Sequence, residues 1–222
     1  MDKNNPLYAN QGLHVINALF TVEDGKFKVL LIKRSNEPFK DKWILVGGAC
    51  YNNETTDEAM KRELFEKTGL KNINFELFNV YSDPNRSPLM RMFAVAYIGV
   101  IDCKKVNVLK HTTKTKDADW FLIDRVPPLA YDHDVILKDA INYLKKRLFD
   151  STILENLFPK HFTLPQLHKA YESILEKKID RRNFRKKLLQ DKIIEDTGLY
   201  EDESGKKPAK LYKFGKYTKF DI

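Results

Sequence analysis

The sequence predicts an α+β chain in two parts: a domain of alternating strands and helices over residues 1–150, and a smaller C-terminal domain over 151–222. Three observations predict it. From Gly12 to about Phe149, β-rich apolar runs alternate with helix-period segments. Across Ser151 to Lys160 that pattern breaks, with Pro159 marking the junction. Beyond the junction the order becomes helix, helix, hairpin.

Leu13 to Val22 and Phe27 to Lys33 read as strands, joined by the hairpin signal Glu23-Asp-Gly25-Lys. Thr55 followed three residues later by Glu58 has the form of a capping box, so a helix is expected from Thr56 to Thr68, stopped by Gly69. Phe75 to Val80, Met92 to Ile101 and the short Asp119 to Ile123 are further strands, and Val135 to Phe149 has amphipathic helical spacing. In the second part, Thr163 caps a helix that carries Pro165 early and runs to Leu175. Asp180 caps another over Arg181 to Leu189, and Lys192 to Glu195 pairs with Ala209 to Phe214 as a hairpin. That is the layout of a winged helix-turn-helix domain.

No apolar run approaches the ~20 residues that span a bilayer, and Met1 to Pro6 lacks an export pattern, so a cytoplasmic protein without membrane association is expected. Cys50 and Cys103 have no metal spacing and read as free thiols. His133 likewise lacks a partner at zinc spacing and reads as a helix-entry residue. The net charge of +8 hints at a polyanionic partner, and its placement is more informative. Between Arg181 and Lys187 only Asn183 and Phe184 are not basic. With Phe184, Leu188 and Leu189 facing a core, Arg181, Arg182, Asn183, Arg185, Lys186 and Lys187 form a candidate DNA-recognition helix, joined by Lys206, Lys207 and Lys210 on the wing. A basic helix alone is more often a solvated face. The adjoining basic wing favours DNA, with RNA as an alternative.

The most chemical stretch is Gly48, five residues, Glu54, seven residues, then Arg62-Glu-Leu-Phe-Glu66-Lys67-Thr-Gly69-Leu. On the expected helix Glu63, Glu66 and position 67 converge on one face, as carboxylates must to hold a hard cation. At 67 the residue is a lysine, whose ammonium would pair with Glu63 and repel Mg2+. Read alone, this helix is a charged solvated face, but Gly48 and Glu54 at fixed offsets argue otherwise. The spacing resembles the Nudix hydrolase signature with its last glutamate replaced, and that resemblance implies an N-terminal α/β/α sandwich around a mixed sheet over residues 1–150. If catalysis were retained, the resemblance would assign Glu54, Glu63 and Glu66 to it. Glu63 and Glu66 are then weak metal candidates, and Mg2+ is needed only for that activity.

A degenerate Nudix box followed by a basic winged helix resembles the Nudix-related transcriptional regulators of the NrtR-like family. Further stretches carrying the likeness are Lys33 to Phe39 with Trp43, Pro127 to His133, and Asp180 to Lys187. The resemblance implies a homodimer on double-stranded operator DNA. It also implies a Nudix domain that senses ADP-ribose or another NAD-related nucleotide, or a pentose, with no required cofactor. Val46 and Ser87 also depart from the hydrolase pattern. Arg34, Arg86 and Arg91 are candidate anion clamps, because a guanidinium makes paired, charge-assisted bonds, and Trp43 is a candidate stacking surface. The alternative function is a Mg2+-dependent hydrolase of ADP-ribose or another nucleoside diphosphate derivative.

Overall fold

The computed structural model describes residues 10–149, 153–201 and 208–215. A six-stranded sheet in the order β4-β5-β1-β3-β2-β6 forms the first part, built from β1 (Gly12–Glu23), β2 (Lys26–Arg34), β3 (Trp43–Ala49), β4 (Glu76–Tyr81), β5 (Met92–Val100) and β6 (Thr115–Leu122). Its β1–β5 pair is parallel and the remaining pairs are antiparallel, so the sheet is mixed, as expected. β1 bends between partners: its first half pairs β3 through Asn17↔Val46, its end pairs β2 through Phe20↔Val29. Asp24 and Gly25, both at positive φ, close that hairpin.

Residues 15–20 are buried without interruption because both faces of β1 are covered. Val15 and Leu19 join Ala59, Met60 and Leu64 of helix α1 (Thr56–Thr68). Ile16, Ala18 and Phe20 join Ile136, Ala140 and Leu144 of helix α2 (His133–Arg147). The same core continues through Leu148, Leu154 and Leu157 into Phe162, Leu167, Tyr171, Phe184 and Leu188 of the second part. There α3 (Leu164–Leu175) and α4 (Arg181–Gln190) pack on a sheet ordered β7-β9-β8, made of β7 (Phe162–Thr163), β8 (Ile194–Glu201) and β9 (Ala209–Phe214). At the junction Tyr171 Oη donates to Leu148 O at 2.5 Å, and Lys145 pairs with Glu176 at 2.7 Å.

Several boundaries differ from expectation. β3 carries the four-residue apolar run Trp43-Ile-Leu-Val46 before the glycine pair and is not among the expected strands. β6 begins at Thr115, because the polar Thr-Lys-Asp before Ala118 still pairs with β2 across a bulge at Lys33/Arg34. β7 is a two-residue third strand, and β8 extends well past Glu195 with an irregular register between Asp196 and Tyr200. The expected domain boundary at 150/151, and the wing residues Lys206 and Lys207, lie outside the described residues.

Candidate functional site

Helix α1 carries Glu63 and Glu66 of the acidic constellation, Glu54 just precedes its cap, and its ends are built as the sequence indicates. Thr55 and Glu58 complete the capping box, and Gly69 takes the left-handed conformation at φ 74° while its N–H reaches Phe65 O. Gly48 of β3 lies against the helix: a Cβ there would stand 2.3 Å from the Glu63 carboxyl carbon. Glu63 is thereby drawn to the sheet and is 3 % exposed.

All three acids are held by cations. Arg62 grips Glu54 with two hydrogen bonds of 2.9 and 2.6 Å, donates to Glu63 at 2.6 Å and Glu66 at 3.2 Å, and reaches Ala49 O. That grip lowers the Glu54 pKa to about 2 and raises that of Arg62. Lys114, from the loop before β6, meets Glu66 at 2.6 Å and lowers its pKa. Lys67 donates to Gly47 O and stands 3.1 Å from Glu63 Oε2, an ion-pair contact without a directed hydrogen bond. Burial lowers the Lys67 pKa, and the Glu63 carboxylate opposes that shift. Among the described residues no group of three or more His, Cys, Asp or Glu converges as a metal site. A magnesium ion does not fit this arrangement unless Lys67 is expelled.

Beside Lys67 opens a cavity of roughly 240 Å3, with Arg34, Arg86, His14, His133 and Gly48 in its wall. Arg86 and Tyr131 also line a wider cleft of roughly 730 Å3 walled by Phe39, Pro88, Pro128, Leu129 and Val135. The two cavities adjoin at these shared residues as a two-part depression. Arg86 is buried and bonded twice to Asp132, at 2.9 and 2.8 Å. Arg34 donates to the carbonyls of Pro38 and Glu37 and lies over the Tyr131 ring at 5.3 Å. His133 is the first residue of α2, and its Nδ1 accepts from Leu45 N at 3.0 Å. Burial first, then Arg86, lowers its pKa to about 3, and the same two causes lower His14 to about 4.

Of the four ligand-binding expectations, Arg34 and Arg86 lie together in the depression. Trp43 and Arg91 are not in its wall. The Trp43 ring packs on Phe121 at 4.7 Å, and Arg91 lies over Phe93 with a buried Nη1 that has no partner. Sequence reasoning missed His14, Lys114 and Asp132. No local signal marks them, because each meets its partners only through the fold. Cys50 and Cys103 are free, and burial raises both thiol pKa values.

The second site is the outer face of α4. Asp180 caps it by accepting from Asn183 N at 2.8 Å, while Phe184 turns inward against Tyr171 and His168. Arg181, Arg182, Asn183 and Lys186 are exposed, and the three basic ones have no ion-pair partner among the described residues. Arg185, also exposed, donates to Tyr212 Oη at 3.2 Å. Lys187 differs: it pairs with Asp191 at 2.8 Å and sits over Phe149 at 5.7 Å, toward the first domain. Lys210 pairs with Asp196 across the wing.

Comparison with known proteins assigns both parts. The NUDIX domain model matches residues 13–140, and the model of the NrtR DNA-binding winged helix domain matches 154–214. The ADPR responsive transcriptional repressor NtrR of Acinetobacter baylyi is 29 % identical over 214 residues, covering 93 % of this chain and 83 % of that protein. An ADP-ribose pyrophosphatase of Methanocaldococcus jannaschii is 37 % identical over 132 residues, 59 % of this chain and 76 % of that one. Among solved structures, Shewanella oneidensis NrtR complexed with a 27mer DNA superimposes with a TM-score of 0.78 at 29 % identity, covering 91 % of this chain and 93 % of that one. The NUDIX domain of the same protein with ADP ribose gives a TM-score of 0.59 at 27 % identity, over 64 % of this chain and 94 % of that one. With its fold, its altered box and these matches together, the chain belongs to the Nudix family, in the NrtR-like branch that ends in a winged helix.

Proposed function

We propose that this chain is a ligand-responsive transcriptional regulator whose winged helix binds duplex operator DNA and whose Nudix domain binds an ADP-ribose-like nucleotide. One observation carries the reading: the box acids are all bound by Arg62, Lys67 and Lys114, while Arg181, Arg182 and Lys186 have no ion-pair partner among the described residues. Chemistry is sealed at one end and polyanion binding is open at the other. The depression favours a nucleotide over a pentose, since it joins a cationic end at Arg34, Lys67 and Arg86 to an aromatic and apolar end at Phe39, Tyr131 and Val135. Arg34 and Arg86 are the proposed anion contacts, and Arg181, Arg182, Asn183, Arg185 and Lys186 the proposed DNA contacts. The working division is 1–150 for sensing and 151–222 for DNA, in a homodimer that matches a palindromic operator.

Helix α2 joins the sites. Its cap Asp132 holds Arg86 in the depression, and just past its end Phe149 lies under Lys187 of α4. A ligand anion that competes for Arg86 thus acts at the start of a helix whose C-terminal continuation, at Phe149, touches the recognition helix, and the two affinities must then alter each other reciprocally. Titration of a palindromic operator against a random duplex, with and without ADP-ribose or a pentose, tests this. Specific binding that ADP-ribose shifts is expected. Equal affinity for both duplexes, or indifference to every ligand, would sink it.

The second reading, a Mg2+-dependent ADP-ribose hydrolase, is favoured by the retained Glu54, Glu63 and Glu66 and by the 37 % identity to a pyrophosphatase. Turnover of ADP-ribose with Mg2+ that disappears in Glu66→Gln would select it over the first.

A further inference from the structure

Position 67 decides how an anion is held in the depression. The Lys67 ammonium lies between the Gly47 carbonyl oxygen and Glu63 Oε2, and its side chain lines the cavity shared with Arg34 and Arg86. A backbone carbonyl, a carboxylate oxygen and a side open to phosphate make up the surroundings that a hard divalent cation takes. The ammonium already occupies them. The other two acids offer no alternative seat, because Arg62 spans Glu54 and Glu66, and Lys114 closes on Glu66 from outside. The residues present therefore do not fit a magnesium ion.

We propose that Lys67 is a built-in counter-cation: its ammonium stands in for the metal and holds a phosphate oxygen of the anionic ligand, so that the ligand binds without a divalent ion. An ammonium carries three donors. Gly47 O takes one, Glu63 offsets the charge without a directed hydrogen bond, and donor capacity remains for the cavity. The charge balance agrees. The inner cavity wall itself carries three cations, Arg34, Lys67 and Arg86, against one carboxylate, Glu37, while Glu63 and Asp132 pair with Lys67 and Arg86 without entering that wall. An anion is thus attracted with no ion added. Glu63, retained from a metal-binding pattern, acts here to position the lysine.

The inference rests on reading the depression as the effector site, and its test separates the two. The full chain is titrated calorimetrically with ADP-ribose, and separately with inorganic pyrophosphate, in excess EDTA and in excess Mg2+. Wild type is expected to bind ADP-ribose within about twofold in both buffers. Lys67→Gln, which keeps a donor toward Glu63 on a side chain one atom shorter but loses the charge, should bind about tenfold or more weakly, as for one lost hydrogen bond to a charged group. Mg2+ should not restore that binding, and Lys67→Arg should bind without metal. Melting curves and operator binding verify the fold of each variant. If Lys67→Gln does not fold, the metal independence of wild type and Lys67→Arg decides. Binding by wild type that requires Mg2+, or a Lys67→Gln variant that binds as tightly as wild type, overturns the proposal and leaves the effector site standing. Failure of wild type to bind either probe in either buffer removes the effector reading and the proposal with it.

Discussion

Asp132→Asn removes one charge from the pair that closes the depression, and the structure sets the size of the effect. Arg86 donates to Asp132 through Nε at 2.9 Å and Nη2 at 2.8 Å, and its side chain is 2 % exposed. Breaking a buried pair by removing one partner costs about 3–5 kcal/mol, because the surviving charge stays out of water. Two features reduce that figure here: asparagine keeps one acceptor oxygen, and the Asp132 side chain is 20 % exposed, so water replaces part of what is lost. A loss of about 2–3 kcal/mol is expected, equivalent to a fall in Tm of roughly 5–10 °C for a chain of this size. Urea denaturation followed by the fluorescence of Trp43 and Trp120 measures it. A double-mutant cycle with Arg86→Met isolates the pair from other consequences of each change. The same variant should bind ADP-ribose more tightly, because Arg86 no longer has an internal carboxylate competing for it. A stability change below about 0.5 kcal/mol together with a cycle showing no coupling would refute the reasoning, since a desolvated, twice-bonded guanidinium cannot lose its counter-charge without cost.

On the recognition helix, Arg182→Ala should weaken operator binding and lower the slope of log affinity against log salt by about one, whereas Lys187→Ala should leave that slope unchanged, because Lys187 is tied to Asp191. Equal slopes for the two variants would place the DNA on another face. Stability should fall on acidification: His133 and His14 titrate at about 3 and about 4 when folded, but near 6.5 when unfolded. Below pH 6.5 the unfolded chain therefore binds more protons, and each of these two histidines removes at most ~1.4 kcal/mol per pH unit until its folded pKa is reached. Denaturation midpoints that hold constant from pH 7 to 5, or a His14→Gln variant as acid-sensitive as wild type, would contradict this. Gly47→Ala should destabilise by about 2 kcal/mol or more, because its Cβ would stand 2.2 Å from the backbone oxygen of Val15 and force β3 away from β1. An unchanged melting temperature would mean that the two strands can separate freely.

What the sequence revealed was mainly local. The capping box at Thr55, the stop at Gly69, the turn at Asp24-Gly25 and the caps at Thr163 and Asp180 each rest on residues within a few positions of one another, and the structure has them all. The pairing of Lys67 with Glu63 was legible for the same reason, being one helical turn. Strands were harder where pairing, not apolar pattern, defines them, as at the polar start of β6. The candidate site was half legible. Arg34 and Arg86 could be chosen by chemistry, but that Asp132 would occupy Arg86 from 46 residues away, and Lys114 would reach Glu66 across 48, depends on the tertiary fold alone. Trp43 looked like a stacking surface for the same chemical reason that makes it pack on Phe121: a large flat ring serves either purpose.

The apolar core that runs without a break from Ile16 and Phe20 through Leu148 to Tyr171 and Phe184 bears on how the chain melts. A shared core couples the cooperative unfolding of its two ends, so an occupant of the depression is felt at α4 as resistance to local opening, whether or not any atom of α4 moves. An effector at a hundred times its Kd contributes about 2.7 kcal/mol to the folded state, and amide protons of the recognition helix that exchange only through global unfolding should slow by the corresponding factor of about a hundred. The ligand can then change the dynamics of the DNA-reading helix as well as its position.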